Sequence, residues 1–339
     1  MWICLLAVLA AKGVNGLRVV SYLTNFLLYL STLVFFVSFL VGKELLRARP
    51  DRPIGHLRAL FVERQSAAHF MRGLPMLLAL IAFMPAFSAM KSAIPLFHPY
   101  TWDHVWIAAD RTLHGTDPWR ILQPVLGYPI VTAFVALVYH VWILLIYAGG
   151  MYFCFFNKDA SLRAQYFIGY FAIWFVIGVV LATFLASVGP CFVGPLLGDH
   201  HYDQQMAYLR SANEHFPIMV LSVQDELLAS YQSANRGLGR GITAMPSMHV
   251  AMALLFFLAM RRISKKAGLV FGVFALIVVV ASVHLAYHYA VDGYVSIVVT
   301  VAIWNVAGLL TRLRTRSENR PAASQITTTP SAPTTPSEA

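Results

Sequence analysis

Long apolar segments constrain this chain more than any other feature of its sequence. A membrane-spanning helix needs about 20 predominantly apolar residues, because its backbone polar groups must all be satisfied within the segment. Hydrophobic residues make up 58% of the chain and charged residues 12%, against about 45–50% and about 25% in soluble domains. We therefore predict an all-α, polytopic membrane protein. The predicted spans are 17–42, 73–93, 129–156, 165–188, 246–260, 267–285 and 290–311.

Two apolar segments are short for this role. The span at 246–260 is short unless Pro246 opens it, since proline is favoured in the first turn of a helix. The stretch 2–11 is too short to span, and it lacks the basic start of a signal peptide. We interpret it either as an interfacial helix or as the remnant of a longer N-terminus.

Basic residues predict the orientation. They concentrate in segments 43–72, 157–164 and 261–266 and in the tail from Arg312, and seven spans place all four segments on one side. Cytoplasmic loops are enriched in lysine and arginine, so this side and the C-terminal tail are predicted to be cytoplasmic. The net charge of +10 then reflects topology and attraction to anionic lipid, and it requires no nucleic acid.

The opposite, extracytoplasmic side receives two longer segments. Segment 94–128 is rich in Trp, Tyr, His and Pro, which favours a pair of interfacial helices along the headgroups. The middle of segment 189–245, about 202–233, has a helical pattern, and we interpret it as a cap over a site. The three cysteines are scattered and predict neither a disulfide framework nor a metal site.

These features divide the chain into three parts. Residues 1–72 form an N-terminal membrane segment with a basic cytoplasmic loop, and residues 73–312 form the membrane catalytic domain. Residues 313–339 are predicted to be a disordered polar tail, because threonine, serine, proline and alanine dominate there.

Two short motifs at the ends of apolar segments carry the chemistry. Residues 244–249 read AMPSMH and residues 288–292 read HYAVD, and both fall on the extracytoplasmic side, where ionisable groups in a membrane protein are usually functional. If the last helix starts near His288, Asp292 lies one turn later. Its carboxylate would then bond one ring nitrogen and make the other a better nucleophile. His249, in the first turn of its helix, would sit where a phosphate is favoured and act as a general acid.

The conjunction of Pro-Ser-x-His, one basic inner loop and His-Tyr-x-x-Asp resembles the type 2 phosphatidic acid phosphatase superfamily. It is most similar to the branch containing inositol phosphorylceramide synthase and, more distantly, sphingomyelin synthase, and the resemblance is specific over about 185–295. It implies six core transmembrane helices, with an extra helix at the N-terminus, and a site at one membrane face. It also implies that His288 forms a phosphohistidine, that Asp292 orients it and that His249 protonates the leaving group. No metal or cofactor is implied.

Two departures from the family pattern concern phosphate binding. The Ser-Arg pair that usually precedes the third-motif histidine is replaced by Ser282-Val283. The first motif, Lys-x6-Arg-Pro, is approached by Lys43 and Arg49-Pro50, which are one residue too close and on the cytoplasmic side. The phosphate still needs positive partners during transfer. The candidate substrate-binding residues are Arg240, Arg236 and Arg210, with Ser247, Tyr289 and Tyr287 as hydrogen-bond donors.

The expected activity is transfer of a phospho-headgroup between lipids, with ceramide or diacylglycerol as acceptor. The lipid substrate would enter the site laterally from the outer leaflet. Hydrolysis of a lipid phosphate or of a polyprenyl phosphate fits the same residues, because water can replace the acceptor. Two other classes stay open. His284 and His288 at helical spacing are compatible with a haem or metal ligand pair, and Gly149-Gly150 is a weak indication of the broken helices of a transporter.

Overall fold

The computed structural model describes residues 2–63, 66–233 and 241–318, and these residues form helices and no strand. In chain order the helices are α1 (Trp2–Ala11), α2 (Val19–Ala48), α3 (Pro53–Glu63), α4 (Ser66–Ala93), α5 (Asp103–His114), α6 (Pro118–Leu126), α7 (Pro129–Phe155), α8 (Ala160–Phe175), α9 (Asp203–His215), α10 (Met219–Gln232), α11 (Met248–Met260), α12 (Lys265–His284) and α13 (Ala290–Glu318). Helix α8 continues through a π-helical stretch, Val176–Leu181, into the turn Ala182–Phe184.

Six of these helices are long and apolar enough to cross a membrane, namely α2, α4, α7, α8, α12 and α13. They confirm the predicted all-α, polytopic membrane class. The predicted span at 246–260 is shorter than expected, because α11 has only 13 residues and extends about 20 Å. Pro246 does not open it; the helix begins at Met248, and Ser247 is its N-cap.

Helix α11 lies in the middle of the bundle, where it packs against α8, α12 and α13. Its apolar residues point in all directions, as in a helix enclosed by protein, and Ala251, Leu255 and Phe256 are buried. Gly149 of α7 permits a close approach to it, because a Cβ there would lie 2.9 Å from the ring of Phe256. The glycine pair that suggested a transporter therefore has a packing role in a continuous helix.

The segments outside the long helices follow the predicted pattern in part. Helices α5 and α6 form within 94–128, and α9 and α10 form within 189–245; their placement at a membrane surface stays a prediction. Helix α1 packs on α4 and buries Leu5 and Leu9. Helix α13 continues to Glu318, so residues 313–318, which we assigned to the tail, are helical. The remainder of the predicted tail, 319–339, lies outside the described residues.

Candidate active site

The first turn of α11 places His249 at the end of a central helix. The side chain of Ser247 accepts a hydrogen bond from the backbone N–H of Val250 at 3.4 Å, which satisfies one of the unpaired donors of the first turn. The ring of His249 stacks on Tyr139, with centroids 4.5 Å apart, and lies 4.1 Å from the ring of Trp142. Aromatic walls from α7 thus hold the imidazole in place.

His288 lies in the turn between α12 and α13. The backbone N–H groups of Tyr287 and His288 donate to the carbonyl oxygen of Ser282, at 3.1 and 3.0 Å, and Ala286 adopts a positive φ of 60°, so the chain reverses tightly here. Nδ1 of His288 lies 3.1 Å from Oδ2 of Asp292. A carboxylate can only accept, so Nδ1 donates the hydrogen bond and Nε2 keeps its lone pair.

Asp292 fixes more than the histidine ring. Its Oδ2 also accepts a hydrogen bond from the backbone N–H of Tyr289 at 3.1 Å, and its side chain is fully buried. Burial, with a smaller contribution from the charge of Lys91, lowers the pKa of His288 to about 3. The imidazole of His288 is therefore neutral near pH 7, the form that a nucleophile requires.

His249 and His288 face one cavity. Their ring centroids are 5.9 Å apart, and both line a cavity of about 350 Å³ whose other walls are largely apolar and aromatic. The motifs that the sequence separates by about forty residues thus meet at one cavity.

Lys91 supplies positive charge to this cavity and was not among the predicted site residues. It lies in the last turn of α4 and lines the cavity with both histidines. A signal was present in the sequence, because Lys91 stands seven residues before His98-Pro99. This is the spacing of the family's first motif with histidine in place of arginine, and it matches that motif better than Lys43 does. His98 does not line the cavity; its Nδ1 lies 2.8 Å from the carbonyl oxygen of Pro99.

Two buried carboxylates of α5 hold the turn that carries His288. Asp103 accepts hydrogen bonds from the backbone N–H groups of Val188 and Gly189, at 3.0 Å each, and from the hydroxyl of Tyr289 at 2.8 Å. Asp110 accepts from the N–H groups of the first two residues of α13, at 2.8 and 2.9 Å. Burial raises the pKa of both carboxyls, and these backbone hydrogen bonds oppose the rise. Neither residue was among the predicted site residues.

A bridging segment, residues 187–191, joins the two motifs. Ser187 accepts hydrogen bonds from the backbone N–H groups of Ala244, through its carbonyl oxygen, and of Met245, through its hydroxyl. At the other end, the N–H of Cys191 donates to the carbonyl oxygen of Ala286 at 2.9 Å. The spacing between the two histidines therefore depends on this segment as well as on their own helices.

The predicted substrate-binding residues lie in different places. Ser247 and Tyr289 are buried, make the contacts described above and do not line the cavity. Arg210 lies on the exposed side of α9, 3.6 Å from Asp225, and does not line the cavity either. Arg236 and Arg240 lie outside the described residues, whereas the next residue, Gly241, and the predicted donor Tyr287 line the cavity.

His284, which the sequence suggested as a haem or metal ligand together with His288, has another partner. Nε2 of His284 lies 2.9 Å from the hydroxyl of Thr132, and His284 does not line the cavity. The nitrogen that would ligate iron is thus engaged in a buried polar contact. Within the described part of the chain, no group of three or more His, Cys, Asp or Glu side chains is arranged to hold a metal ion.

This arrangement coincides with a family assignment. The family model described as PAP2 superfamily matches residues 104–306, more than half of the chain. The chain belongs to the PAP2 superfamily. Together with the apolar helices, this membership supports a lipid phosphatase-type function in an integral, multi-pass membrane protein. Comparison with curated proteins and with solved structures gave no match.

Proposed function

We propose that this protein is a membrane phosphotransferase or phosphatase that acts on lipid phosphoesters through a phosphohistidine at His288. The observation that carries the proposal is the meeting of three groups at one cavity: a neutral His288 held by Asp292, the ring of His249 at 5.9 Å, and the ammonium group of Lys91. A nucleophile, a general acid and a cation are what phosphoryl transfer without a metal requires.

In the first half-reaction, Nε2 of His288 attacks phosphorus. A nitrogen–phosphorus bond forms as the bond from phosphorus to the leaving oxygen breaks, and protonated His249 gives its proton to that oxygen. Asp292 keeps the proton on Nδ1 and offsets the positive charge that grows on the ring. Lys91 and the free N–H groups of the first turn of α11 offset the charge on the phosphoryl oxygens.

In the second half-reaction, an alcohol or a water molecule attacks the phosphohistidine. His249, now neutral, takes the proton of the attacking oxygen, and the nitrogen–phosphorus bond breaks. An alcohol gives a new lipid phosphoester, and water gives the free phosphate product. The largely apolar walls, which include Phe87, Ile146 and Trp174, limit access of water and favour a lipid acceptor. This supports headgroup transfer, with ceramide or diacylglycerol as acceptor, over hydrolysis.

The test uses purified protein in nanodiscs with a panel of phospholipids and lipid phosphates. Each substrate is tried with and without ceramide or diacylglycerol, and with and without EDTA. We expect turnover that EDTA leaves unchanged, because histidines do the work of a metal here, and a phosphoprotein that is labile to acid and stable to alkali. A new lipid indicates transfer, and free phosphate indicates hydrolysis.

Paired variants separate the nucleophile from a general effect of losing a histidine. His288→Gln should abolish both turnover and the phosphoprotein. His284→Gln, one turn earlier on α12 and outside the cavity, should retain both. Equal turnover by wild type and His288→Gln would overturn the proposed role of His288.

A further inference from the structure

A second groove lies at the other end of α11, about 18 Å along the helix from His249. It has a volume of about 420 Å³ and runs between the end of α11 and the first half of α12. Arg261 and Lys265 form one end of it, and Leu269, Val273 and Leu276 form the wall beyond them. We call it the basic groove.

The basic groove follows one face of α12. Lys265, Leu269, Gly272 and Leu276 are spaced at three or four residues and so lie along one stripe, which extends for about 16 Å. The side chains on this stripe are exposed, with Leu269 71% and Leu276 64% accessible. In a protein that spans a membrane, such a stripe faces acyl chains.

The two cations at its end have no acidic partner among the described residues. The guanidinium of Arg261 lies 5.6 Å from the ring centroid of Phe257, and Lys265 takes part in no ion pair within the described ranges. The sequence contains no Asp or Glu between Glu226 and Asp292. The groove thus has two positive charges at one end and an apolar wall beside them. This wall is long enough to contact part of an acyl chain.

We propose that the basic groove binds one anionic phospholipid, distinct from any substrate. Its phosphate lies between Arg261 and Lys265, and one acyl chain lies along Leu269, Val273 and Leu276. Positive charge beside a transmembrane helix attracts anionic headgroups, and a zwitterionic lipid offers no net charge to match it. The proposal is independent of the reaction at His288, because the two places share no residue.

The test measures binding of phosphatidylglycerol and phosphatidylcholine to the purified full chain by native mass spectrometry. The variant Arg261→Gln/Lys265→Gln removes both cations of the groove. The matched control, Arg262→Gln/Lys266→Gln, removes the same charge from the same basic segment, 261–266, at residues that do not line the groove. We expect the groove variant to weaken phosphatidylglycerol binding by on the order of tenfold and the control to change it less than about twofold.

A third variant, Val273→Trp, tests the apolar part without changing charge. It fills the groove and should weaken phosphatidylglycerol binding while leaving the cations in place. Equal loss in the groove variant and in its control would show that the loop acts only as a diffuse charge, and it would overturn the proposal. So would equal binding of phosphatidylglycerol and phosphatidylcholine by the wild type.

Discussion

At the scale of single residues, the effects of replacing His249 and of replacing His288 should depend differently on the basicity of the leaving group. General acid catalysis matters when the departing oxygen is strongly basic and contributes about 10²–10⁴-fold. His249→Gln should therefore slow turnover of a lipid phosphoester by about that factor, but slow a p-nitrophenyl phosphoester much less. His288→Gln should abolish both reactions. Values of kcat/KM for the two substrates, which include only the steps up to release of the leaving group, check this, and an equal loss for both in His249→Gln would contradict the general-acid role.

The pH dependence should also reflect His288. Its buried imidazole, whose pKa is lowered to about 3, becomes protonated only near that pH, so the neutral nucleophile persists as the pH falls from 7 to 5. We expect kcat/KM, which reports the free enzyme, to show no decline on the acid side centred near 6.5. The measurement needs a phosphodiester substrate, because a phosphomonoester itself titrates near pH 6. A decline in kcat/KM centred near pH 6.5 would contradict this prediction.

At the scale of elements, Asp103 connects α5 to the site. Replacing it by Asn removes one acceptor oxygen and the charge from a group that accepts bonds from Val188, Gly189 and Tyr289. We expect Asp103→Asn to lower the free energy of unfolding by about 1–3 kcal/mol and to reduce kcat as the His288 turn loosens. Unfolding in mixed detergent micelles measures the first effect. The control Asp225→Asn changes an exposed carboxylate, 61% accessible, and should have little effect on either quantity.

The bridging segment allows a second test at this scale, based on two glycines with positive φ. A Cβ on Gly189, φ 89°, would lie 2.6 Å from the carbonyl oxygen of Tyr287, whereas a Cβ on Gly198, φ 71°, would have no atom within 4 Å. Gly198 is left-handed, with ψ 17°, so its alanine variant incurs a backbone strain of about 1–2 kcal/mol. Gly189, with ψ 162°, lies in a region that essentially only glycine adopts, and its alanine variant incurs about 1–3 kcal/mol. Only Gly189→Ala should also displace the turn that carries His288. We expect a loss of kcat in Gly189→Ala alone; equal activity of the two variants would mean that the turn tolerates the displacement.

At the scale of the whole molecule, the charge of the loops predicts that the site faces away from the cytoplasm. A background variant, Cys4→Ser, removes the exposed cysteine and leaves Cys154 and Cys191, which are buried. In this background, Ser211→Cys on α9 and Ile263→Cys between α11 and α12 mark the two ends of the bundle. We expect a membrane-impermeant maleimide to label Ser211→Cys in intact cells and Ile263→Cys only after permeabilisation. The opposite pattern would place the site at the cytoplasmic face.

The sequence alone determined the membrane class of the protein and the pairing of His288 with Asp292. Apolar length predicts a membrane helix wherever it occurs, because the backbone hydrogen bonds of a helix are local. Likewise, His288 and Asp292 are four residues apart, so helical geometry alone brings them within reach. These predictions need no knowledge of which helices are neighbours.

Only the tertiary structure decided which other residues reach the site. Lys91, Asp103 and Asp110 come from α4 and α5, far along the chain from His288, and their contacts depend on how helices pack. Packing also removed two candidates from the cavity. Arg210, in the predicted cap, faces outward beside Asp225. Tyr289 follows His288 directly in the sequence but is buried against Asp103. A cation or a hydroxyl has the same local pattern in a binding site as on a surface, and only its neighbours in space distinguish the two.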